Sequence, residues 1–178
     1  MIRTILFALM CCAALYACSV NPKSMAPDLS AQHYPTSGQT LRLAPIDNTL
    51  SFRRGAGAIT GKKMRETLTL AFGKAGLFRQ VVTEGSADLE LRVELVQQMD
   101  ISGRAIGNWE LRREMVANYS LIDLGTGQSV WQDSIRTVAG SKALGGAPAI
   151  IEATEGAVRE NVRALLQAAA QQWPGRNR

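Results

Sequence analysis

The chain has 178 residues, with 20 Lys and Arg against 15 Asp and Glu, a net charge of +5, and 46% apolar residues. That length holds one domain with a real core and is short for two. The positive excess is too small and too dispersed to indicate nucleic acid; it reads either as a solubilising surface or as one that meets anionic envelope phosphates or polymers at short range.

Residues 1–17 read as an export signal. Arg3 precedes an apolar run from Ile5 to Leu15, too short to span a bilayer comfortably, and the run ends in Leu15-Tyr16-Ala17-Cys18. Leu15, Ala17 and Cys18 resemble the acceptor box of bacterial lipoproteins, while Tyr16 departs from the small or branched residue usual at its place. The resemblance implies that Cys18 is the lipidation site, that acyl chains hold the mature protein on a membrane, and that Ser19, standing where Asp would signal inner-membrane retention, sends it to the periplasmic face of the outer membrane. A plain secretory cut is the competing reading, but small residues line up less well around Tyr16 than before Cys18. Cys11 and Cys12 leave with the signal, so no intrachain disulfide is expected.

Residues 18–39 are polar and carry Pro22, Pro27 and Pro35 without apolar periodicity, which reads as a lipidated flexible tether. Such a tether would leave His33, the single histidine, outside the core. Residues 40–173 are expected to form one α+β domain, with a tail at 174–178. Leu41, Leu43 and Ile46 nearly alternate and suggest a first strand ending near Pro45. Thr60 can cap a helix over 61–75, where Met64, Leu68, Ala71, Phe72 and Ala75 make an apolar stripe and Gly76 supplies a left-handed stop.

Residues 78–83 form a short candidate strand. In residues 87–96, Leu89, Leu91, Val93 and Leu95 alternate with charged residues, so one face of that strand is buried and the other wet. The stretch from Ser102 to Gly107 reads as a glycine-containing loop, after which Trp109 opens a strand that continues over 111–122. Asp123-Leu-Gly-Thr-Gly127 is a turn, and with the strand over 129–138 it completes a β-hairpin. Beyond a Gly- and Ala-rich loop, Ile151, Val158, Val162, Leu165 and Ala169 mark one face of a long second helix, with Thr154 and Asn161 as polar members beside them. The order favours a two-layer α+β sandwich: a mostly antiparallel sheet of about four to five strands with two helices packed on one face.

Residues 53–63, with Arg53, Arg54, Lys62 and Lys63 around two glycines, lie between a strand and a helix, where a phosphate-binding loop would lie. Ala56 replaces the first glycine of that motif and Lys63 replaces its Ser or Thr, so nucleotide binding is not expected. The four basic residues could hold a lipid phosphate or a polymer carboxylate at the helix start, or be a solvated face. Trp109 and Trp173 stand near element ends, as core residues or as exposed anchors for a partner or membrane, and Trp131 reads as core. His33 alone cannot build a catalytic triad or a metal site, no serine sits in a nucleophile elbow, and Glu152 with Glu155 reads as a charged helix face. No metal, no cofactor and no enzyme activity are expected.

Leu43-Ala-Pro-Ile-Asp-Asn48, the helix ending in Gly-Leu-Phe78, the strand Ala87-Asp-Leu-Glu-Leu91, the 123–127 hairpin and Glu155-Gly-Ala-Val-Arg-Glu-Asn-Val-Arg163 together resemble a group of small outer-membrane lipoprotein domains. The group comprises the curli-secretion lipoprotein, the amino-terminal domain of the Tol-system propeller protein and, by anchor, size and charge, the lipoprotein of lipopolysaccharide transport. It implies a periplasm-facing accessory protein that assists outer-membrane assembly, secretion or transport by binding an envelope protein or polymer. The alternatives are an envelope enzyme acting on a glycan or lipid, or a homo-oligomeric ring component of a secretion system.

Overall fold

A computed structural model describes residues 19–47, 57–105, 108–142 and 145–172. In chain order the elements are a helical turn α1 (Pro22–Met25), β1 (Ser37–Leu43), α2 (Gly61–Ala75), β2 (Phe78–Val82), β3 (Leu89–Ala105), β4 (Asn108–Asp123), β5 (Ser129–Gly140) and α3 (Gly146–Gln172). Helix α2 is bounded by local chemistry. The Thr60 side chain accepts a hydrogen bond from the Lys63 amide at 3.2 Å, and Gly76 ends the helix at φ 64°, a conformation that costs any residue with a Cβ. Gly61 is fixed by a close approach: a Cβ there would stand 1.8 Å from the Ile46 carbonyl oxygen, because the exit of β1 passes over the helix start.

The strands form one sheet in the order β2-β1-β3-β4-β5, with α2 and α3 as a helical layer. β1 runs parallel to β2 and to β3, as a strand–helix–strand crossover requires, whereas β3–β4 and β4–β5 are antiparallel. The architecture is therefore the expected α+β one, with a mixed sheet whose longer ladders are the antiparallel ones. The stretch expected as a loop from Ser102 to Gly107 differs. The β3–β4 ladder runs on through Ser102↔Leu111 to Ala105↔Asn108, past Arg112↔Gly140, the last β5 pair. Ladder hydrogen bonds satisfy the backbone of this ribbon without apolar alternation, so its sequence carries no strand signal.

Alternation sets the core. Leu41, Leu43, Leu91, Met115, Tyr119 and Leu121 point from the sheet toward Met64, Leu68 and Phe72 of α2 and Val158, Val162, Leu165 and Leu166 of α3, all of them at most 1% exposed. The Phe72 and Phe78 rings meet at 5.8 Å with an interplanar angle of 56°. Trp131 is half-buried against this cluster.

One buried polar network crosses the layers. The Tyr119 hydroxyl donates to Asn161 Oδ1 at 2.5 Å, the Asn161 amide donates to the Ile135 carbonyl at 2.9 Å and to Thr137 Oγ1 at 3.3 Å, and the Thr137 hydroxyl donates to the Ala157 carbonyl at 2.8 Å. Full burial pushes the Tyr119 phenol far above its ordinary pKa, so it stays a neutral donor.

The first part of the segment expected as a tether, residues 19–29, is instead packed, while most of residues 30–36 are exposed. Val20, Met25 and Leu29 are 2%, 0% and 8% exposed and belong to the core, with α1 lying on α2 and α3. Its polar backbone is held from both helices: Lys63 Nζ donates to the Val20 carbonyl at 2.9 Å and to the Ser19 hydroxyl, the Asn21 amide donates to Glu155 Oε1 at 2.7 Å, and Arg159 donates twice to the Ser24 carbonyl, at 2.8 and 2.5 Å. Three apolar residues at irregular spacing suffice because the segment fills a groove rather than presenting a periodic face. His33 is exposed, as expected.

Asn161→Ala leaves the buried Tyr119 hydroxyl without its acceptor and removes the amide bonds to the Ile135 carbonyl and Thr137, and is expected to cost about 2–4 kcal/mol in urea unfolding. Met25→Ala is expected to cost a similar amount, about 2–4 kcal/mol for a fully buried methionine, by the same measurement; a loss below the scatter of surface substitutions would mean that the segment is detached in solution.

Candidate functional site

Because the helices cover one side of the sheet, the alternate residues of β3, β4 and β5 face outward with no described element over them. Arg92, Glu94, Asn118, Ser120, Gln132 and Ser134 line a shallow hollow of about 580 Å³ on this open face. Asn118 Nδ2 donates to Glu94 Oε2 at 2.9 Å across the strands. Toward the β3–β4 ribbon the face mixes exposed apolar side chains with the exposed arginines Arg112 and Arg136. Val96, Met99 and Val138 are 39%, 46% and 37% exposed, and Met99 and Val138 flank Glu114 in one row of the ladder.

Two carboxylates lie low on this face, and both are held by arginines. Glu90, 8% exposed, accepts from Arg42 Nε and Arg92 Nε at 2.8 Å each. Burial alone would raise its pKa, but the hydrogen bonds from Arg92 and Arg42 outweigh it and hold the carboxyl below its ordinary value. Glu114, 2% exposed, takes Arg136 Nε at 2.8 Å and NH2 at 2.5 Å, so the guanidinium roofs it over. These carboxylates therefore organise the surface and do not converge on a common point.

A second polar cluster sits on the helix side, at the foot of the ribbon. Gln98 donates to the Gly57 carbonyl at 3.0 Å, and Arg113 NH1 donates to Thr154 Oγ1 at 2.8 Å. Arg113 Nε lies 2.9 Å from Asp100 Oδ1 but off the N–H axis, which makes an ion pair without a directional hydrogen bond. Burial lowers the Arg113 pKa and the Asp100 charge opposes that shift.

Of the residues singled out in the sequence, Cys18, Arg53, Arg54 and Trp173 lie outside the described residues. Trp109 is placed by its backbone in β4, opposite Arg104 near the end of the ribbon. Lys62 is exposed in the first turn of α2, while the neighbouring Lys63 is turned onto Ser19 and Val20. Trp109 and the lysines thus stand on different elements. Among the described residues no group of three His, Cys, Asp or Glu side chains could hold a metal, and no helix is long and apolar enough to cross a membrane. Sequence reading missed Glu90, Arg42, Glu114 and Arg136. The charged members of the alternating strands were visible, but their pairing depends on the cross-strand register.

No family model matches the chain, and no curated protein does. Solved structures do share its fold. A Xanthomonas campestris protein of the DUF330 family superposes with a TM-score of 0.63 at 14% identity, covering 83% of this chain and 90% of its own. The PelC dodecamer from Paraburkholderia phytofirmans gives 0.52 at 13% identity, covering 78% and 93%. A candidate lipoprotein from Caulobacter crescentus gives 0.52 at 15% identity, with the same coverage. At these identities the likeness is one of fold.

The Glu90 cluster makes a pH-dependent contribution. A carboxyl whose folded-state pKa is depressed stabilises the fold above its unfolded pKa, about 4.3, and loses that stability as pH falls through the lower folded value. Glu90→Gln should therefore lower the urea midpoint at pH 6, and the gap from the wild type should close progressively below about pH 4.5; a gap independent of pH would show that the ion pairs contribute nothing.

Proposed function

We propose that this chain is a lipid-anchored, periplasm-facing accessory protein of the outer membrane, which binds an envelope protein or polymer through the open face of its sheet. The observation that carries the reading is that face itself. It combines a polar hollow with exposed Val96, Met99 and Val138, and no described element lies over it. Its buried carboxylates are taken up by arginines, which suits recognition rather than acid–base chemistry, so no catalytic step is assigned. The acceptor box ending at Cys18 supports the anchor, and the fold shared with a candidate lipoprotein from Caulobacter crescentus agrees with it. The resemblance of its motifs to the curli-secretion, Tol and lipopolysaccharide-transport lipoproteins supports a role in assembly, secretion or transport.

A second reading has one observation in its favour. PelC, which shares the fold, is a dodecamer, and a ring of this chain could use the same exposed apolar residues for self-contact.

Ser134→Arg with Val138→Lys places positive charge and bulk on the open face, with the new lysine opposite Glu114 rather than a like charge, and should change stability by no more than about 1 kcal/mol. Crosslinking pull-down from envelopes of the full-length wild type is expected to recover a specific component that this double variant and Cys18→Ala both lose. Recovery unchanged by the double variant would move the contact off the open face. Sedimentation of the purified protein separates the ring from a monomer that recruits a different chain.

A further inference from the structure

The docked amino-terminal segment determines how an anchored domain would stand on its membrane. Arg159, which grips the Ser24 carbonyl, is two residues before Asn161, which bonds to the sheet. Two residues are about 200° around an α-helix. Glu155, which accepts from the Asn21 amide, lies on the Arg159 side, about 40° from it by the same geometry. The segment therefore runs along the side of the helical layer that faces away from the sheet, and the molecule has three tiers: open sheet, helices, amino-terminal segment.

Ser19 is the first described residue, and it is tied by its hydroxyl to Lys63 while Val20 is buried. Chain geometry keeps Cys18 within about 7 Å of Val20, two residues on, whereas a flexible tether of about twenty residues would spread over roughly 25 Å. Around this exit stand Lys62 and Lys23, both exposed, and half-buried Lys63. Among the described residues the acidic neighbours include exposed Glu66, one helical turn on from Lys62, exposed Asp47, next to Ile46 over the start of α2, and Glu155, which is engaged by the Asn21 amide.

We infer that the surface around Ser19, the first turn of α2 and the middle of α3 is a membrane-facing surface that rests on the phospholipid headgroups surrounding the Cys18 lipid, with Lys23 and Lys62 toward the phosphates. The open sheet face is thereby turned away from the bilayer. This rests on the lipidation of Cys18 proposed above and deepens it, because the anchor then sets orientation as well as location. A domain held this way offers its open face to the periplasm and cannot lay it on its own membrane.

The test uses the full-length, processed protein in vesicles of phosphatidylethanolamine and phosphatidylglycerol, with single labelling cysteines at K62C or S134C and lipids carrying a headgroup quencher. Quenching at position 62 is expected to exceed that at position 134 severalfold. Equal quenching at the two positions, or more at 134, overturns the inference. Lys63→Ala with Arg159→Ala, checked for retained secondary structure and urea midpoint, frees the segment and should erase the difference; a difference that survives unchanged shows that the dock does not orient the domain. Intact mass separates the two levels. A chain without acyl mass overturns the lipid-anchor reading and this inference together, whereas an acylated chain with unoriented probes overturns the orientation alone.

Discussion

The Asn161 amide is the interaction on which the arrangement of layers depends. A buried amide that is fully hydrogen-bonded costs little, but one rotated away from its partners costs on the order of a few kcal/mol. By bonding at once to Tyr119, the Ile135 carbonyl and Thr137, Asn161 sets both the rotation and the height of α3 against β4 and β5. Apolar contacts alone would fix neither so sharply, since the α3 stripe of Val158, Val162, Leu165 and Ala169 could slide with modest loss. Once that rotation is set, Glu155 and Arg159 have to face the other way, and there they collect the amino-terminal segment.

The same choice makes the two sides of the sheet unequal. Over most of their length the inward residues of β3 and β4 are apolar and meet the helices, with Gln98 and Arg113 as polar exceptions at the foot of the ribbon, while outward residues meet water and can carry function. On that outward side Glu90 and Glu114 are nonetheless buried, Glu90 held by Arg42 of β1 and Arg92 of its own strand, Glu114 by Arg136 of β5. Paired charges of this kind tie β1 to β3 and β4 to β5 across the ladder, stiffening the surface on which the hollow and the exposed Val96, Met99 and Val138 are displayed. A surface pre-ordered by such pairs loses less entropy on binding than a mobile one.

The legibility of the chain follows the range of the forces. Helix α2 could be read closely because its determinants are local: a threonine cap, a stripe at three- and four-residue spacing and a glycine stop. The 123–127 hairpin was equally plain, since its turn is made by the residues that form it. The β3–β4 ribbon was not, because Ser102, Gly103 and Arg104 owe their strand conformation to the residues opposite them. The packed segment 19–29 was misread for a related reason: Val20, Met25 and Leu29 look isolated until two helices more than thirty residues away form the groove that receives them.

What the sequence by itself determined is the two long helices, the cores of the five strands, their amphipathic faces, the α+β class and the candidate anchor at Cys18, all of which depend on neighbours within a few residues. Only the tertiary structure decided that Lys63 and Arg159 clasp the amino-terminal segment, that Glu90 and Glu114 are paired, and that the open face lies on the far side of the molecule from Ser19. Those outcomes turn on cross-strand register and on the rotation of α3, which are set by contacts between residues far apart in the chain.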